Sequence, residues 1–179
     1  MLRLIFSTVA VLTLATGLMA KEPKEITAAK KEYDQTKAKD PEGEREHYAN
    51  ALAKIVAKYT QEFRDTGSRE HGEEMQAILA ELKKYPAPKD ADSKKLSALM
   101  TGEWHSTRHE FLYKKNGTYV MLPEDKESPR GKWHIEGNQF SQTEGDVDAH
   151  YTIVLLNADY FVYGDKDAEF IMLKAKGKK

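Results

Sequence analysis

The repeat of hydrophobic and polar positions changes once along this chain. Between Lys21 and Pro88 apolar residues recur every three or four positions, and beyond Trp104 they alternate. Ile26, Ala29 and Tyr33 mark a short first helix, ending before Asp40-Pro41 because proline disfavours helical geometry in the residue ahead of it. Tyr48, Leu52, Ile55, Val56, Tyr59 and Phe63 form one stripe of a longer helix that stops at Asp65-Thr66-Gly67. Met75, Ile78, Leu79, Leu82 and Tyr85 make the stripe of a third helix, stopped by Pro86. Ser68 is its expected N-cap, with Glu70, Glu73 and Glu74 near its positive end. A short break between two amphipathic helices predicts an antiparallel hairpin in which the stripes bury each other.

In the second half Phe111 and Tyr113 share a face, and Asn116-Gly117 signals a two-residue hairpin turn. Tyr119 and Met121 then alternate with Thr118, Val120 and Leu122. Beyond a charged loop from Pro123 to Arg130, Trp133 and Ile135 face one way and Lys132, His134 and Glu136 the other. Gly137-Asn138 and Gly145-Asp146 mark bends, and apolar strands follow at His150 to Leu156, Tyr160 to Tyr163 and Glu169 to Leu173. The expected fold is α+β: an N-terminal helical hairpin followed by a small antiparallel up-and-down β-barrel or meander. The last strands are apolar on both faces, and a wet outer face forfeits roughly 25 cal/mol per Å². That face therefore needs a cover: the hairpin, a second copy of the chain or another partner, with the hairpin and a dimer the expected ones.

Arg3, the apolar run Leu4 to Leu18 and small Ala20 before Lys21 have the order of a cleavable secretory signal peptide. The expected layout is a leader at 1–20, a helical arm at 21–88, a linker at 89–95 and a β domain at 96–176. Localisation is then periplasmic or secreted, with no stable membrane span after cleavage. With no cysteine, disulfides, thiolate metal sites and cysteine nucleophiles are all excluded. A net charge of -1 leaves no basic footprint for nucleic acid.

Gly102-Glu103-Trp104 resembles the Gly-x-Trp entry of lipocalin-like proteins. The later Asn116-Gly117-Thr118-Tyr119 and the run Gly131-Lys132-Trp133-His134-Ile135-Glu136-Gly137-Asn138-Gln139-Phe140 are similar to compact lipocalin-like domains of bacterial exported proteins. The helical arm resembles those of secreted planctomycete and verrucomicrobial proteins. The first resemblance implies a calycin-type barrel and a small apolar ligand. In a barrel this small the interior fills with side chains.

The chain carries no nucleophile elbow, phosphate loop, His-Glu-x-x-His helix or dinucleotide fingerprint. The expectation is an exported non-enzymatic binding or interaction module without cofactor; the alternatives are a structural, dimerising envelope protein and, behind it, a hydrolase of unknown type. The candidate ligand-binding residues are the aromatics Trp104, Phe111, Tyr113, Tyr119 and Trp133, which serve equally as barrel core. Strand parity turns His105 and His134 away from the interior, so no metal site is assigned to them, to His109 or to His150. Glu144, Asp146 and Asp148 lack the further bidentate acid of a calcium loop. Glu103, Glu110 and Glu136 form no evident catalytic pair. The candidate partners are a small apolar ligand and a homodimer or envelope protein.

Overall fold

The computed structural model describes residues 24–36, 40–123 and 129–175; the expected leader and residues 124–128 of the charged loop lie outside them. Four helices come first: α1 (Lys24–Thr36), α2 (Pro41–Thr66), α3 (Gly72–Leu82) and α4 (Ser93–Met100). Eight strands follow: β1 (Gly102–His105), β2 (Glu110–Tyr113), β3 (Thr118–Leu122), β4 (Gly131–Glu136), β5 (Gln139–Glu144), β6 (Val147–Leu156), β7 (Tyr160–Gly164) and β8 (Glu169–Lys174). The strands pair antiparallel in chain order, and β8 returns to β1 to close a barrel. The expected α+β class with an up-and-down barrel is what the chain adopts, an architecture compatible with the lipocalin-like resemblance.

Local chemistry fixes the helix ends. The Asp40 side chain accepts from Gly43 N at 3.0 Å, Pro41 opens α2, and Glu42 and Glu44 occupy its first turn. At the other end Gly67 takes φ 72 and donates to Phe63 O, a left-handed cap that a residue with a Cβ adopts only under strain. The third helix starts later than expected. Its N-cap is His71, and Ser68 instead accepts from Glu70 N within the preceding turn. Residues 89–95, read as a linker from their charges and the two prolines just ahead of them, are held by specific bonds. Asp92 caps α4, and Ser93 Oγ accepts from Gly137 N at 2.8 Å. A Cβ on Gly137 would run into the carbonyl of Lys89, which shows how closely this segment lies on the β4–β5 turn. α4 closes one end of the barrel with Met100, Leu96 and Leu99.

The strands that are apolar on both faces find their cover in the chain's own helices. Val154, Leu155, Val162 and Ile171 pack in one cluster with Tyr48, Leu52, Val56, Ile78 and Leu82 of α2 and α3. Strict alternation would turn only one of two neighbours outward, yet Val154 and Leu155 both join this cluster. The register shifts between Ile153 and Leu155, a β-bulge that turns both residues toward the helices and returns Leu156 to the interior. The bulge frees the Val154 carbonyl, which accepts from Arg45 Nη1 at 3.3 Å, while Tyr85 O accepts from the same nitrogen at 3.2 Å.

Where α1, α2 and α3 meet, the rings of Tyr33, Tyr48 and Tyr85 pack with centroids 5.0 to 5.3 Å apart. Glu81 lies beside them, accepting from Lys84 Nζ at 2.6 Å and from the Tyr48 and Tyr85 hydroxyls at 3.5 and 3.4 Å. Burial pushes the Glu81 carboxyl up; the donors and the charges of Lys84 and Lys30 pull it further down, and the net shift is below the ordinary 4.5. A carboxyl with a lowered folded pKa binds fewer protons folded than unfolded in the window below 4.5. Its stabilisation is complete above that value and is lost as pH falls through the folded pKa. Glu81→Gln is therefore expected to lower the melting temperature at pH about 7 and to flatten its acid decline. Parallel declines in the two proteins would remove Glu81 from the acid response.

Candidate functional site

The aromatic residues singled out from the sequence all belong to the barrel interior or pack against it. Trp104 and Tyr113 are fully enclosed, Tyr119 and Trp133 are buried, and Phe111 is half-buried. Trp104 Nε1 donates to Met100 O at 2.6 Å, and Lys174 Nζ sits 4.3 Å above its ring. The same ammonium donates to Leu99 O and Thr101 O at 3.0 and 2.6 Å, so this end is tied shut around the end of α4. Trp133 Nε1 donates to Thr118 O and Lys114 O at 3.0 and 3.2 Å, bracing the β2–β3 turn. That turn is longer than Asn116-Gly117 suggested: Gly117 N donates to Lys114 O, and Asn116 Oδ1 accepts from both Thr118 N and Thr118 Oγ1. The asparagine side chain completes the turn, which a bare two-residue hairpin does not need.

The rest of the interior comes from residues outside the candidate list. Phe140, Ile153, Phe161, Tyr163 and Met172 fill the space between the tryptophans, with Phe140 and Phe161 edge to face at 5.1 Å. Their signal was the alternation in the last strands, masked there because the outward positions are apolar too.

Away from α4 the interior becomes phenolic. Tyr113, Tyr119, Tyr151 and Tyr163 lie close enough to influence one another's ionisation, and Gln142 Nε2 donates to Tyr113 Oη at 2.9 Å. Burial, the largest cause, pushes all four phenols up, Tyr113 and Tyr163 most strongly and Tyr119 to about 12. They stay neutral at physiological pH and offer hydroxyls without charge. Exposure rises toward this end: Phe111 and Tyr151 are half-buried and Phe170 is exposed.

On the outer surface, β1 and β2 bring Glu103, His105 and Glu110 together. Glu103 and His105 are two apart on β1, and His105 pairs directly with Glu110 across the sheet. Their donor atoms lie within 4.8 Å of one another, so the trio is a candidate set of oxygen and nitrogen ligands for a divalent ion. Two internal contacts already satisfy it. His105 Nε2 lies 2.9 Å from Glu103 Oε1, and Arg64 of α2 donates to Glu110 Oε1 at 2.7 Å and to Ser106 O at 2.7 Å. Arg64, His105, Glu110 and His109 line a polar recess of about 560 Å³ at the end of α2. Arg64 thus fastens the helical unit to the β1–β2 loop. His134 is exposed on β4 and His150 on β6, on the outward faces that parity assigned to His105 and His134. Glu144 turns to Arg130, 3.0 Å away, while Asp146 and Asp148 are exposed.

A second recess, about 840 Å³, runs between the β5–β6 hairpin, the β7–β8 turn and the end of α3. Tyr151, Thr152, Val154 and Pro86 form its floor, with Lys83, Asp148, His150 and Asp165 along its sides. It exists because β6 outruns its neighbour. β6 pairs with β5 over its whole upper half, but its pairing with β7 begins only at Thr152 opposite Gly164. Sequence reasoning missed this groove because it depends on the relative lengths of strands that meet only in the closed barrel. Compared with known proteins, the chain matches no family model and no curated protein.

Proposed function

We propose that this protein is a non-enzymatic binding module of the periplasm or the secreted space, built on a lipocalin-like barrel, that engages its partner outside the barrel. One observation carries the reading: the interior is occupied by the protein's own rings, whereas the larger groove lies on the surface, where barrel meets helices. A small eight-stranded barrel is just wide enough for side chains. Here Trp104, Tyr113, Phe140 and Phe161 are fully enclosed in one interior cluster. Export rests on the leader-like segment, and the non-enzymatic character on the lack of a nucleophile, phosphate-loop or zinc-helix motif in the sequence.

The second reading is a small apolar ligand held at the open, phenolic end by Phe111, Tyr113 and Tyr119. It is favoured by the neutral hydroxyls converging beside the half-buried Phe111 and Tyr151. Titration with 8-anilinonaphthalene-1-sulfonate and with a long-chain fatty acid, read by the emission of Trp104 and Trp133, separates the two. Surface engagement predicts no saturable change in tryptophan emission. A saturable 1:1 change that Tyr119→Ala abolishes would replace it with the ligand reading.

A further inference from the structure

We propose that the groove beside β6 takes an extended polypeptide segment carrying basic side chains, which adds a strand to the free edge of β6. This rests on the surface-binding reading and names the occupant of that site. The first ground is the backbone. Along β6, Ile153 N donates to Asn138 O on the β5 side. Backbone groups in an antiparallel strand alternate between its two neighbours, so Ala149 and Tyr151 also bond toward β5. Asp148 and His150 then direct their N–H and C=O groups the other way. No strand lies on that side among the described residues, because β7 stops opposite Thr152. Residues Val147 to Tyr151 present an open edge of about 17 Å, enough for a segment of about five residues.

The second ground is charge. Asp148, Asp165, Asp167 and Glu169 line the groove against Lys83 and Lys166. Lys83 pairs with Glu169 at 2.7 Å and Lys166 with Asp167 at 4.0 Å. Asp165 and Asp148 are left as net negative charge flanking the free backbone groups. Asp165 Oδ1 is turned inward, accepting from Asp167 N and Ala168 N at 2.7 and 2.9 Å, so Asp148 is the more available carboxylate. A segment that alternates basic and small apolar residues meets this carboxylate with one face and Tyr151 with the other.

The test uses the chain from Lys21 onward and a displayed library of random twelve-residue peptides, followed by one enriched peptide made synthetically. Enriched sequences are expected to be extended, alternating and basic. His150→Pro is the decisive variant: that N–H serves no bond inside the barrel, and proline is tolerated at a strand edge facing solvent. It is expected to weaken peptide binding at least tenfold with the melting temperature within a few degrees of wild type. His150→Ala keeps the N–H and is expected to bind within twofold. Asp148→Lys is expected to weaken basic peptides at least fivefold. The proposal is overturned if no peptide is enriched, if the enriched peptide binds His150→Pro as well as wild type, or if the protein itself dimerises through this edge. None of these outcomes alters tryptophan emission on ligand titration, so loss of this proposal and loss of the surface-binding reading are told apart.

Discussion

Val162→Asp is expected to leave the protein unfolded or insoluble. Val162 is fully enclosed on the outward face of β7, a strand paired on both sides, and belongs to the cluster shared with α2 and α3. Its cluster neighbours Leu52, Val56, Leu155 and Ile171 are all apolar. An aspartate there would be a buried charge without a partner, costing several kcal/mol against a total stability of about 5–15 kcal/mol. Val162→Thr, nearly the same shape with one hydroxyl, is expected to cost about 1–3 kcal/mol and still fold. Far-UV circular dichroism and a urea midpoint on both variants check this. A Val162→Asp protein melting within a few degrees of wild type would mean that the helices do not seal the outer face.

The second large effect belongs to Trp104. Trp104→Ala is expected to cost about 3–5 kcal/mol, the usual range for removing a buried tryptophan. The indole fills the end of the barrel beside Phe161, donates to Met100 O at the close of α4, and lies beneath Lys174. Trp104→Phe keeps much of the volume but leaves the Met100 carbonyl without its donor, so a smaller loss of about 1–3 kcal/mol is expected. Denaturant midpoints with unchanged slope would give these values. If Trp104→Ala costs under 1 kcal/mol, α4 does not close that end through the indole.

The change from a helical to a strand repeat, the helix break at Asp40-Pro41 and the parity of Trp104 against His105 were legible because each depends on residues close in sequence. The need for a cover over the last strands was legible for the same reason, since apolar character on both faces is a local property. The bulge at Val154 was not, although it decides which residues meet α2: an unbroken apolar run carries no mark of where alternation slips. α4 is only two turns long. Its spacing of Leu96, Leu99 and Met100 after Asp92 is helical, but the run is so short that its first residues read as linker and Leu96 to Met100 as the start of the β domain. The aromatic candidates fell in the interior as parity required. Their role as filling follows from Phe140, Phe161 and Met172, which arrive from strands far along the chain. The groove beside β6 depends on one strand outrunning another, a quantity that pairing alone reveals.

The most direct test of this account is amide hydrogen exchange resolved residue by residue along β6. Ala149, Tyr151 and Ile153, bonded toward β5, are expected to exchange slowly, while Asp148 and His150 exchange at rates close to those of an exposed chain. Addition of an edge-binding peptide would slow those two selectively. If Asp148 and His150 are already as protected as their neighbours in the isolated protein, the edge is closed and β6 is not a docking strand.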